Sequence, residues 1–156
     1  MEIVAAVLEE YAKRGIFRGF SQGSPRKGKA VFKMLWHRGR NFELILDTGR
    51  KTLRFPVVLP EVPVESSMYE EFQQFVDAHF ADDLPGHRRI DKSKVSIRCA
   101  NRKGDVSLTL TVLDGDYAYA TRKLVNLVHE VFLVFLFDGR YYDYMVETFD
   151  LDPDRM

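Results

Sequence analysis

The sequence predicts an α+β fold, a five-stranded antiparallel sheet with helices packed on one face, in the order α-β-β-β-α-β-β-α. Two patterns point there. Apolar and polar residues alternate in runs separated by short Gly-bearing turns, as hairpin-joined strands require. Flanking stretches place apolar residues three and four apart, as helices with one buried stripe do. The 156 residues suit a single domain spanning 1–156, with no internal repeat, low-complexity tract or linker.

Ile3, Val4, Val7, Leu8 and Tyr11 fall at helical spacing among Glu2, Glu9, Glu10, Lys13 and Arg14, predicting an amphipathic helix closed by Gly15. A short strand over 16–20 follows, outside the count of five. Residues 21–28 form a loop by composition. Three strands come next: Ala30, Phe32, Met34 and Trp36 alternate with Lys29, Val31, Lys33, Leu35 and His37, then Phe42, Leu44 and Leu46 with Glu43, Ile45 and Asp47, then Leu53, Phe55 and Val57 with Thr52 and Arg54. Pro56, which has no N–H to give a ladder, predicts that the third of these is an edge strand or ends there. Ser67 and Glu70 have the spacing of a capping box for a helix burying Met68, Phe72, Phe75, Val76 and His79. A loop over 81–93 leads to a second hairpin, Val95, Ile97 and Cys99 against Val106, Leu108, Leu110 and Val112. Asp116 caps a last helix that runs to Phe137, and a further short helix is expected over 142–149.

Strand parity separates two faces. One carries Phe32, Met34, Trp36, Phe42, Leu44, Leu46, Leu53, Phe55, Ile97, Leu108 and Leu110. The other carries Lys33, Glu43, Arg54, Ser96, Arg98, Ser107, Thr109 and Thr111, with Val31, Leu35 and Ile45 among them. Helices are expected on the apolar face alone. The polar face is then the candidate partner-binding surface, with Lys33, Arg54 and Arg98 as its cations and Val31, Leu35 and Ile45 as apolar anchors.

Charge sums to zero, 23 Lys and Arg against 23 Asp and Glu, yet it is blocked along the chain. Residues 11–42 hold nine basic side chains and no acidic one, residues 55–86 seven acidic and none of Lys or Arg, residues 87–104 a net +6, and residues 138–156 a net −4. Such blocks either pair within one fold, basic strands against acidic helices, or present a patch to a partner. A neutral chain is a poor generic binder of polyanions, and Phe32 and Trp36, the aromatics that could stack on bases, have core parity, so nucleic acid is not expected as a partner.

Chemical motifs are incomplete. GSPRKGK at 23–29 matches the letters of a phosphate loop, but Ala30 stands where magnesium needs a hydroxyl, and a strand follows where a helix is required. GFSQG at 19–23 spells a nucleophile elbow without its strand-to-helix setting. Asp150, Asp152 and Asp154 open like a calcium loop that lacks its Gly and its final Glu. His37, His79, His87 and His129 share no metal-ligand spacing, and Cys99, the lone cysteine, reads as a small buried hydrophobe. No catalytic residue, metal ligand or cofactor site is assigned. The first residues lack a basic region ahead of their apolar stretch, so no signal peptide is read, and the longest apolar run, 131–137, is far short of the ~20 residues of a membrane span. A cytoplasmic protein is expected.

The last helix ends in VFLVFLF, apolar all round, where covering one sheet face needs only a stripe. Leu133, Val134 and Phe137 are the surplus. Either the Tyr-rich segment 141–149 folds over them or a second copy of the chain does, which would make a homodimer.

With the closing stretch GDYAYATRKLVNLVHEVFLVFLFDGRYYDYMVETF in place, the order helix, three-strand meander, helix, hairpin, helix resembles the type III secretion chaperone-like fold, and in particular the YbjN-like bacterial proteins. The resemblance implies a non-enzymatic protein that binds proteins, a regulator or chaperone-like adaptor. Secretion chaperones are usually acidic and dimeric, whereas this chain is neutral. The other reading of the residues is a small anion- or nucleotide-binding module built on the basic loop 23–29.

Overall fold

In β2 (Lys29–Trp36), β3 (Arg40–Asp47) and β4 (Thr52–Leu59), alternate side chains are buried, which fixes these segments as strands with one inward face. The computed structural model describes residues 2–37, 39–136, 141, 144 and 148. A helix, α1 (Glu2–Lys13), precedes the sheet. After β4 come α2 (Ser67–Ala78), the hairpin β5 (Val95–Arg102) and β6 (Asp105–Val112), and α3 (Tyr117–Glu130), which continues as one π-helical turn, Val131–Phe135. Of the short helix expected over 142–149, only residues 144 and 148 lie within the described residues, and both are helical.

The sheet has six strands, not five. The additional one, β1 (Arg18–Gln22), pairs antiparallel with β2, so the order is α-β-β-β-β-α-β-β-α. Its sequence, RGFSQ, has a single apolar side chain and therefore no alternation. It is held by backbone pairing to β2 and by that one side chain, Phe20, which stacks on Phe32 at 6.1 Å, and its register shifts between Arg18 and Ser21, around Gly19 at φ +59°.

The strand order is β1-β2-β3-β4-β6-β5, antiparallel throughout. Since β4 and β5 both run antiparallel to β6, they are parallel to one another. The chain leaves β4, crosses through α2 to the far edge as β5, and returns as β6 into the gap. Thus β4 is an interior strand, contrary to the edge reading of Pro56, which stands in the second half of the strand. The missing N–H is tolerated because the ladder is broken there: β4 follows β6 in register to Phe55↔Leu108 and resumes at Leu59↔Val106. In the interruption, Arg40 reaches across from β3 and donates Nη1 to the Val58 carbonyl at 3.3 Å.

The inward face packs as an aromatic and aliphatic layer. Trp36 meets Phe17 and Phe42 edge-on, with centroids 5.7 and 5.4 Å apart, and Phe42 meets Phe55 and Phe132 in the same manner. Against it α1 buries Val4, Val7 and Leu8, α2 buries Met68, Phe72 and Val76, and α3 buries Ala120, Leu124, Leu127 and Val128. Tyr11 donates to Asn126 and Arg122 pairs with Glu10, fastening α1 along α3.

The cap of α2 is Ser66, one residue before the Ser67 expected from the spacing. Ser66 Oγ accepts from the Tyr69 N–H at 3.2 Å, and its hydroxyl donates to the Pro63 carbonyl at 2.6 Å. With Ser66 as cap, the position three residues on is Tyr69, so no capping box forms. Ser66→Ala is expected to lower unfolding free energy by about 1 kcal/mol, and Ser67→Ala by less than about 0.5 kcal/mol, measured as shifts in urea midpoint.

Candidate interaction face of the sheet

Antiparallel register turns the outward residues into rows across the strands. One row reads Val31, Ile45, Arg54, Thr109, Arg98 from β2 to β5. The next reads Lys29, Asp47, Thr52, Thr111, Ser96. A groove of about 650 Å³ runs over them, with Ile45, Arg54, Arg98 and Thr109 along its floor and walls. Val31, Leu35 and Ile45 are half-buried, and Lys33, Arg54 and Arg98 are exposed.

The six residues expected to form the partner-binding face therefore share one side of the sheet but not one spot. Val31, Ile45, Arg54 and Arg98 fall in a single row. Lys33 sits further along β2 beside Glu43, in a second depression of about 500 Å³ lined also by Val31, Gly23 and Arg26. Leu35 lies beyond it, paired with Arg18 of β1 and Asn41 of β3.

Cations on this face are mostly matched by the sheet's own carboxylates. Lys33 faces Glu43 at 3.8 Å, and Lys29 and Arg50 each stand 4.0 Å from Asp47, which also accepts the Arg50 N–H. These exposed contacts carry little energy singly. Among the described residues these pairs run across strands, between β2 and β3, while the acidic α2 packs on the other side of the sheet. Arg54 and Arg98 form no ion pair among the described residues, and the hydroxyl of Thr109 lies between them in the row. Thr52, Thr111, Ser96 and Ser107 add further hydroxyls to the groove.

The basic loop 23–29 is a hairpin turn. Arg26 and Lys29 exchange both backbone hydrogen bonds at 2.9 Å, and the residues between them, Lys27 and Gly28, have φ of +52° and +78°. This is a type I′ turn. The Gly23, Arg26 and Lys29 amides are committed to the hairpin, and the Gly28 carbonyl accepts from the Thr48 N–H and hydroxyl.

The histidines lie on the helical side. His79, the C-cap of α2, donates from Nδ1 to the Phe75 carbonyl at 2.8 Å, and its Nε2 is hydrogen-bonded to Glu130 of α3. This pair joins the two helices. A recess of about 250 Å³ beside it is lined by His79, His87, His129, Glu130 and Lys123, yet among the described residues no three His, Cys, Asp or Glu side chains are placed to hold a metal ion. The His129 ring lies parallel to Trp36, centroids 6.4 Å apart, and its Nδ1 is buried without a hydrogen-bond partner. Burial holds its pKa below the ordinary histidine value, with Glu130 opposing. Cys99 is half-buried, and burial pushes its thiol up to about 12, so it carries no thiolate at neutral pH.

At the end of α3, Leu133 and Val134 are 53% and 45% exposed. Phe137, the third surplus residue, lies outside the described residues. Tyr141 stacks on Phe135 at 5.0 Å and hydrogen-bonds Glu71, so part of the following segment folds back toward α2. Among the described residues no helix is long and apolar enough to cross a membrane. Comparison with protein-family models, with curated proteins and with solved structures returns no match.

Since burial holds the folded-state pKa of His129 below its unfolded value, the unfolded chain binds more protons than the folded chain between those two values. Its contribution is complete above a pH of about 6.5 and is lost as pH falls through the depressed folded value. Thermal midpoints should drop between pH 7.5 and 5.5, and His129→Gln should flatten that drop; parallel profiles for the two proteins would contradict this assignment.

Proposed function

We propose that this chain is a non-enzymatic, cytoplasmic protein-binding module, a regulator or chaperone-like adaptor, whose partner sits on the open face of the sheet. The observation that carries the reading is the row Val31, Ile45, Arg54, Thr109, Arg98: two half-buried apolar side chains beside two arginines without ion-pair partners among the described residues. An acidic group laid near Thr109 would meet both guanidiniums and a hydroxyl, and an apolar group one or two strands away would cover Ile45 and Val31. The face offers cations, hydroxyls and aliphatic side chains but no aromatic platform, because Phe32, Trp36 and Phe42 point into the core. That composition fits a protein surface better than single-stranded nucleic acid, whose bases stack on aromatic rings.

Charge reversal tests it. Lys33→Glu with Arg54→Glu and Arg98→Glu should leave the thermal midpoint within a few degrees and reduce capture of native partners by about tenfold or more. Reversal of Arg14, in the turn just after α1 and away from the open sheet face, should leave capture intact. Unchanged partner profiles in the triple variant would remove the open face as the binding surface.

A further inference from the structure

The two edges of the sheet differ. At one, β1 is five residues long, with a register shift and Gly19 breaking its pairing. At the other, β5 runs for eight residues in unbroken register with β6, from Val95↔Val112 to Arg102↔Asp105, and contains no proline or bulge. Short, bulged edges resist further pairing, and long regular ones invite it.

The turn determines which backbone groups β5 presents. Lys103 and Gly104 link the strands with φ of +53° and +96°, a two-residue type I′ turn. In such a hairpin the flanking pair, Arg102 and Asp105, exchanges both hydrogen bonds, and bonded and non-bonded pairs then alternate. Ser96, Arg98 and Ala100 therefore bond to β6, while the N–H and C=O groups of Ile97, Cys99 and Asn101 point away from the sheet. Two contacts agree with this phase: the Val95 N–H turns outward to the Asp91 carbonyl, and the Lys94 carbonyl accepts from Leu113 at the end of β6. Among the described residues no backbone or side-chain hydrogen bond reaches the outward groups of Ile97 and Cys99.

Side chains along the same edge specify what could pair there. On the open face stand Ser96, Arg98, Ala100 and Arg102, all exposed. On the helical face stand Ile97 and Cys99, packed against the core yet only half-covered. We infer that β5 accepts an added strand from a protein partner, an extended segment that alternates acidic residues, placed beside Arg98 and Arg102, with apolar residues that complete the cover of Ile97 and Cys99. Backbone pairing supplies affinity and the alternating pockets supply selectivity. A second copy of this chain fits worse, because β5 against β5 brings the Arg98 and Arg102 side chains of two copies onto one face. The inference rests on the reading of the chain as a protein-binding module and names the segment that such a partner would offer.

The test uses a capped eight-residue peptide alternating valine and glutamate, the full-length protein, and hydrogen exchange alongside a binding titration. Binding should slow exchange of the Ile97 and Cys99 amides. A peptide N-methylated at the amides that face the edge should lose at least tenfold in affinity. Arg98→Glu with Arg102→Glu should weaken the glutamate peptide by at least tenfold and favour its lysine counterpart, while Lys13→Glu, in the last turn of α1 by the opposite edge of the sheet, should change affinity less than twofold. No binding at millimolar peptide, or binding indifferent to N-methylation, would overturn strand addition. Dependence on Arg54 without protection at Ile97 and Cys99 would overturn it too, while leaving the open-face reading standing. Protection of those amides in a peptide-free dimer would replace the acidic segment with a second copy.

Discussion

The pairing of β4 with β6 is the contact on which the rest of the molecule depends. Leu53↔Leu110 and Phe55↔Leu108 meet across it, all four side chains fully buried. Every other neighbouring pair in the sheet is joined by a local connection. This one closes a long loop containing α2 and all of β5, so its entropic cost must be met by the apolar surface it buries. Once closed, it joins the N-terminal four strands to the C-terminal hairpin, sets Arg54 beside Thr109, and through Thr109 sets Arg98 in the same row. It also sends β5 to the edge. Two arginines without ion-pair partners and a sheet edge without hydrogen-bond partners, both among the described residues, are products of that single insertion.

The neutral overall charge conceals a local imbalance of the same origin. β2 and β3 are adjacent in sequence and in space, and their opposite charges face one another along the hairpin, Lys29 with Asp47 and Lys33 with Glu43. The seam brings together strands whose outward residues were not matched: Arg54 from one hairpin and Arg98 from the other flank threonine rather than carboxylate. At the far side, His79 and Glu130 join α2 to α3, so the helical layer is tied together by a polar contact.

Period-two alternation made β2, β3, β4, β5 and β6 legible, along with the two faces, because half-burial of a strand writes itself into every second residue. The candidate residues Val31, Lys33, Leu35, Ile45, Arg54 and Arg98 were placed on the outward side for that reason. What alternation cannot encode is neighbourhood. That Arg54 and Arg98 share a row, and that Lys33 and Leu35 stand apart from them, depends on the order β4-β6-β5, a non-local outcome. β1 escaped the count because its one core-facing side chain, Phe20, makes no alternation. Pro56 misled because it is accommodated by a break in the ladder, which no residue type announces. The α2 cap differs by one residue because Ser66 and Ser67 are equally good caps, and the turn from Pro63 chooses between them.

The lone thiol acquires a use from its position. Cys99 lies on the strand with the free edge, its side chain under partial cover from the core and its ionisation suppressed by that cover. A thiol reagent reacts with the thiolate, so labelling of this half-covered thiol is slow at neutral pH. Labelling reports on one strand against an otherwise thiol-free background, and a ligand that pairs with the edge and completes the cover of Cys99 would slow it further.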